Sequence, residues 1–293
     1  MSWCLGGIFM NPLQRTLDSI NERIAAALAR SGRHGESVVL VAVTKTVPAE
    51  VVAAAWELGV RHFGENRVEE GAPKIEQVAR LLHAPGRVEA FARPDFRSLG
   101  DFGSLGGTSW ANVSPLHGDA PTWHMVGHVQ SRKAREVAEA FDFVHSVDRG
   151  KLVGELEKRA ASAGRTLPCL LEVNTSGEAS KSGVPGSAGP GSRGEAEAVL
   201  ALARELAAAP HLRAEGLMTM GPLGAPVPEI RRCFALLRRW REFLQKRVPE
   251  AGWRHLSMGM TDDFEIGLEE GATIVRIGRG IFGGTFGTTD EHG

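Results

Sequence analysis

Eight short apolar runs alternate with stretches of helical spacing along this chain, and that alternation constrains its fold more than any other feature. Strand candidates lie at residues 38–46, 60–63, 122–126, 143–147, 168–173, 214–220, 255–258 and 272–277. Between them, helical periodicity covers 48–58, 68–82, 131–140, 151–163, 195–208, 228–246 and 262–270, with a further helix at 13–29 carrying Leu17, Ile20, Ile24 and Leu28 on one face. Strands that are apolar on both faces and alternate with helices form a parallel sheet. Eight such units in 293 residues predict a closed (β/α)8 barrel. The other candidate is an open doubly wound sheet, but no G-x-G-x-x-G follows the first strand.

In a barrel, chemistry collects at the carboxyl ends of the strands. Those ends read Lys45, Asn66, His128, Asp148, Asn174, Thr219, Ser257 and Arg276. Lys45 closes the first run, just before Pro48 opens a helix. Apolar surroundings would lower the pKa of such a lysine, and a neutral amine forms a Schiff base with a carbonyl. Ser257-Met258-Gly259 and Ile277-Gly278-Arg279-Gly280 follow the last two strands. Glycine turns there let backbone N–H groups converge on a phosphate. A phosphorylated carbonyl compound is the expected ligand. Arg276 fits a guanidinium facing a pyridine nitrogen, as in pyridoxal phosphate sites, or a buried ion pair. An arginine only donates, so it would leave that nitrogen unprotonated and weaken the ring as an electron sink.

Other features read more plainly. His124 and His128 are four residues apart, which is about 13 Å along a strand and too far for one metal ion. His128 is expected as a core or pocket hydrogen-bonding group, and Glu65 as a solvated turn residue. The run Arg231, Arg232, Arg238, Arg239 and Arg241 reads as a solvated helix face. A net charge of −1 gives no electrostatic case for nucleic acid or an anionic membrane, and no apolar run is long enough to span one. Cys4, Cys169 and Cys233 form no CxxC pair, so neither a disulfide framework nor a zinc site is expected, and the compartment is expected to be the reducing cytoplasm. Residues 1–9 read as a disordered lead, with Met10 as an alternative start. Residues 82–121 read as a flexible, turn-rich insert in a single domain at 10–287, and 288–293 as a tail.

Several motifs occur in a telling order. They are Val41-Ala42-Val43-Thr44-Lys45-Thr46, Phe63-Gly64-Glu65-Asn66, Trp123-His124-Met125-Val126-Gly127-His128-Val129-Gln130, His145-Ser146-Val147-Asp148, Glu172-Val173-Asn174, Lys181-Ser182-Gly183, Gly216-Leu217-Met218, Leu256-Ser257-Met258-Gly259-Met260 and Val275-Arg276-Ile277-Gly278. Together they resemble the pyridoxal phosphate homeostasis protein family. The resemblance implies a TIM barrel like the alanine racemase N-terminal domain, a fold-type III pyridoxal 5'-phosphate site and a Schiff base on Lys45. It implies phosphate contacts from Ser257 with the Met258-Gly259 turn and from Gly278 with Arg279, Arg276 at the pyridine nitrogen, and Asn66 beside the ring. His128, Asn174 and Met218 complete the expected cofactor pocket. Arg67 stands where the family usually has tyrosine, and Arg279 where a small hydroxyl residue is common.

The function implied is cofactor storage and delivery without robust catalysis, in a cytoplasmic monomer whose partners are the cofactor and apo enzymes that use it. An amino-acid racemase of this fold needs a tyrosine from a second domain, yet the chain has no tyrosine and only a short tail after the last strand. A Schiff-base aldolase would need an acid/base partner near the lysine and no Arg276.

Overall fold

The structure is a computed structural model that describes residues 12–83 and 120–283. The expected lead, nearly all of the 82–121 insert and the tail lie outside the described residues. The chain opens with α1 (Pro12–Arg30), then β1 (Val39–Val43), α2 (Ala49–Glu57), β2 (His62–Glu65) and α3 (Val68–Leu82). After the insert come β3 (Thr122–Met125), α4 (Ala134–Ala140), β4 (Phe143–Val147), α5 (Gly150–Ser162) and β5 (Leu167–Asn174). The last part holds β6 (Val184–Pro185), α6 (Arg193–Ala208), β7 (Leu212–Met218), α7 (Val227–Arg247), β8 (His255–Ser257), α8 (Phe264–Glu269), β9 (Ile274–Ile277) and α9 (Arg279–Phe282).

The strands pair in parallel in the order β4-β3-β2-β1-β9-β8-β7-β5, and pairing of β4 with β5 closes the ring. This is the eight-stranded barrel that the alternation predicted. The two-residue β6, inside a loop rich in Gly, Pro and Ser, was not expected; it pairs with the end of β5 at Val173 and Asn174. Trp240 on α7 holds this loop down by donating from Nε1 to Gly186 O at 2.8 Å.

Burial follows the period of two along each strand. Outward residues pack beneath the helices with Leu17, Ile24, Phe63, Leu171, Trp240 and Leu256. Inward residues form a separate small cluster of Val39, Val41, Phe143, Leu170, Met218 and Ile274. α1 packs against α8 and α9 and buries Leu17, Ile20, Ile24 and Leu28, as its spacing predicted. Removing each from water contributes about 2 kcal/mol. Arg23 and Arg30 of α1 pair with Glu265 and Glu269.

Two sequence expectations need correction here. Glu65 is not a solvated turn residue. β2 runs through it, it is fully buried, and it accepts from Thr44 Oγ1 at 2.6 Å and from Lys74 Nζ at 2.8 Å. The arginines of α7 are not a uniform solvated face either. Arg231 pairs with Glu269 and Glu270, and Arg238 with Glu270, clamping the end of α8 to α7.

Candidate functional site

Lys45 lies two residues beyond the end of β1, in a turn rather than in the strand. The strand ends early because the chain bends. Thr44 N still donates to Gly64 O at 2.9 Å, but Thr46 takes φ = 63°, which a β-branched residue rarely adopts. The side chain of Lys45 is exposed at the barrel mouth. The apolar surroundings expected for it are therefore absent from this structure.

The floor of the mouth is built from inward residues of β5, β7, β8 and β9. Arg276 is buried, opposite Val41 in the register of β9 with β1. Its guanidinium donates to Ser257 Oγ at 2.5 Å and to Thr219 O at 2.9 Å, which occupies two of its five N–H donors. Burial lowers the Arg276 pKa to about 10, opposed by Asp263 and Glu172, so it stays charged at neutral pH. Ser257 is fully buried, and its hydroxyl is taken up by Arg276 and His145. In this structure the Ser257 hydroxyl holds the arginine. Met218 is buried on the inner face beside Ser257 in the strand register.

The two glycine turns meet at the rim. Gly259 has φ = 97°, and a Cβ there would lie 2.7 Å from Phe264 Cα. Its carbonyl accepts from Arg276 N at 3.0 Å. A Cβ on Gly278 would lie 3.1 Å from Val43 O, so the last turn abuts the end of β1 just before Lys45. Gly280 N donates to Thr261 Oγ1 at 3.1 Å, and Arg279 pairs with Asp262 at 2.6 Å, tying the turns together. Met258 needs correction: its side chain faces the outer core, and its N–H donates to Ile274 O.

The remaining expected residues lie along the rim. Asn66 is half-buried, and its carbonyl oxygen would collide with a Cβ on Gly127. His128 is exposed rather than in the core, with Nδ1 3.2 Å from Asp148 Oδ2. Asn174 spends its amide on its own loop: Nδ2 donates to Glu178 O and Lys181 O, while Oδ1 accepts from Ser176 Oγ and Gly177 N. It shapes the loop rather than offering free donors.

The sequence reading missed two sets of residues. Glu172 is buried with Oε2 unpartnered, and burial raises its pKa to about 7, helped by Asp148 and opposed by Arg276. His62, His124 and His145 are buried together inside the barrel. The available signal was their alternate spacing with Gly64, Val126 and Phe143 on otherwise apolar strands. Among the described residues, no group of three His, Cys, Asp or Glu side chains is placed to hold a metal ion, and no helix is long and apolar enough to cross a membrane.

A family model described as the alanine racemase N-terminal domain matches residues 16–286. A Vibrio alginolyticus protein named pyridoxal phosphate homeostasis protein is 35% identical over 275 residues, covering 94% of this chain and 98% of its own length. A crystal structure of an unknown protein from Bifidobacterium adolescentis superimposes with a TM-score of 0.74 at 33% identity, covering 92% of this chain and 94% of that one. PipY of Synechococcus elongatus, with PLP bound, gives a TM-score of 0.64 at 30% identity, covering 88% and 99% of the two chains.

Proposed function

This chain belongs to the pyridoxal phosphate homeostasis protein family, and on that premise we propose that it binds pyridoxal 5'-phosphate at the barrel mouth, covalently through Lys45, as a carrier rather than a catalyst. The observation that carries the reading is the convergence on one rim of an exposed lysine with two glycine turns, above a buried arginine. The residues fit the group. Gly259 has no room for a Cβ and Gly278 has little, so backbone lines the place where a phosphate would lie. Glu172 Oε2 is a buried polar atom without a protein partner beneath the same mouth. Pyridoxal phosphate supplies an aldehyde that a neutral lysine amine captures as an imine.

Within this reading Lys45 is the anchor. The turns at Gly259 and Gly278-Arg279 would hold the phosphate by their backbone, with Met258 placing the first turn through its bond to Ile274 O. Arg276 would meet the ring nitrogen, and Met218, Asn66 and His128 would line the pocket, while Asn174 fixes the loop that borders it. Arg276 donates only and cannot protonate the nitrogen it faces. That favours holding the cofactor over forming carbanions from it. The total lack of tyrosine argues in the same direction against two-base racemisation.

The finer reading is a cytoplasmic monomer that hands the cofactor to apo enzymes. The relatives' name fits a role in cofactor supply, and the widely spaced cysteines fit a reducing compartment. The test is a visible spectrum with added pyridoxal phosphate, then borohydride reduction and peptide mapping. The expected result is a shifted band and a reduced adduct on Lys45, both lost in Lys45→Ala with the circular dichroism spectrum unchanged. An adduct on another lysine would overturn the anchor. Robust, Lys45-dependent turnover of alanine or a sugar phosphate would overturn the carrier reading.

A further inference from the structure

The barrel interior contains a polar string that runs away from the mouth. Arg276 Nη1 meets Ser257 Oγ. Ser257 Oγ meets His145 Nδ1 at 3.0 Å, His145 Nε2 meets His124 Nδ1 at 2.9 Å, and His124 Nε2 meets His62 Nδ1 at 2.8 Å. Every imidazole–imidazole link joins an Nδ1 to an Nε2, so the string has a direction. Its far end, His62 Nε2, is buried and has no partner.

We propose that Arg276 sets the hydrogen pattern of this whole string, locking His145, His124 and His62 as Nε2–H tautomers, and that the three histidines are positioning residues that hold Arg276 through Ser257.

The argument follows from donor and acceptor counts. A guanidinium has no acceptor, so Ser257 must accept from Arg276. Ser257 has one proton, and the acceptor the structure gives it is His145 Nδ1. A neutral imidazole that accepts at Nδ1 carries its proton at Nε2. His145 therefore donates to His124, and His124 donates to His62. The opposite pattern would give Ser257 two incoming donors and leave its own proton buried without an acceptor, which is costly. In the pattern assigned here, the one atom left over is the His62 Nε2–H, and it is the atom the structure leaves unpartnered. A buried water is the natural acceptor there.

Two further observations fit. All three imidazoles are held neutral: burial pushes His62 down to about 3 and His124 and His145 well below the usual histidine range, with the neighbouring histidines lowering each further, and Arg61 acting on His62 and Arg276 on His145. Phe143 stacks on His124 at 5.3 Å and meets His145 edge-on at 5.1 Å, which opposes ring flips that would exchange nitrogen and carbon. A neutral string also holds Arg276 without a carboxylate in direct contact, leaving its charge for a ligand at the mouth. That last role rests on the cofactor reading; the tautomers do not.

Long-range proton–nitrogen spectra of the ¹⁵N-labelled, ligand-free protein at pH 7.5 test the assignment directly. Three Nε2–H imidazoles at His62, His124 and His145 are expected. A single Nδ1–H or charged ring among them overturns it. In Arg276→Met the imposed direction is lost, and Nδ1–H signal is expected to grow at His62, four links away; an unchanged His62 would refute control by the arginine. The positioning role is read by titrating pyridoxal phosphate. Ser257→Ala is expected to weaken binding about tenfold, the scale of one hydrogen bond to a charged group, and Ser257→Thr to restore it. Equal affinity for the alanine variant would overturn the positioning role. Correct tautomers in a protein that binds no pyridoxal phosphate would sink the cofactor reading and leave the string standing.

Discussion

Mild acid is expected to destabilise this fold, and the size of the effect follows from three buried histidines and the half-buried His255. His62 is held at about 3 and His255 at about 4, with His124 and His145 also well below 6.5; burial is the leading cause for each. In the unfolded chain all four titrate near 6.5. Between those values the unfolded state binds more protons than the native state, so stability rises with pH and is lost as pH falls below 6.5. Each histidine costs about 1.4 kcal/mol per pH unit, hence roughly 2 kcal/mol at pH 5 and about 8 kcal/mol for four. Glu172 works in the opposite sense. Its native pKa is raised to about 7, so the native state holds its proton more tightly, and acidification from pH 7 to 5 returns about 2–3 kcal/mol. The net loss of about 5 kcal/mol compares with a whole-protein stability of about 5–15 kcal/mol. Urea unfolding of the ligand-free protein at pH 7.5, 6.5, 5.5 and 5.0 measures it, and His255→Gln is expected to remove about one proton from the slope. Stability that stays level within about 1 kcal/mol from pH 7 to 5 would refute the reasoning, because buried neutral imidazoles cannot be silent over that range.

Two further expectations concern how the mouth is supported. Lys74→Met leaves the fully buried Glu65 without its cation, with only Thr44 still donating, and is expected to destabilise by about 3–5 kcal/mol in urea unfolding, with partial recovery in Lys74→Met/Glu65→Gln; no loss would mean that Glu65 is not the ionised partner. Gly127→Ala drives a Cβ into the Asn66 carbonyl, a backbone atom that cannot rotate aside. A lower Tm and weaker pyridoxal phosphate binding are expected together, at a cost of about 1–3 kcal/mol, and unchanged values for both would show that the two loops give way freely.

The barrel could be read from the sequence because each strand is a short apolar run with its own helix, and strand-end polar residues fall at the mouth whatever the details of register. Lys45, Asn66 and Arg276 could be placed at the mouth that way. What resisted reading was the choice of face. When both faces of a strand are buried, periodicity does not say which alternate set points inward. His124 was therefore weighed with His128, its neighbour along the strand, instead of with His62 and His145, its neighbours across the barrel. The same ambiguity hid Glu172, which precedes Asn174 by one inward step, and made Glu65 look like part of a turn although Lys74, one helix later, neutralises it. Ser257 has a further task that a serine before a glycine turn does not reveal: the register places its hydroxyl between Arg276 and His145.

These inward residues share one logic. A guanidinium buried in a barrel must place its N–H groups on acceptors, and the nearest two oxygens are the Thr219 carbonyl and the Ser257 hydroxyl. A carboxylate in that place would bind Arg276 more strongly, but would neutralise the charge that a ligand's ring nitrogen would meet. Serine avoids this and leaves one proton to be accommodated. An imidazole takes that proton and creates another, so each histidine requires the next. Three links carry the demand from the mouth to His62, where the structure leaves it unanswered. The acid sensitivity is the cost of that design: every neutral imidazole that serves the arginine is one that unfolding would allow to charge.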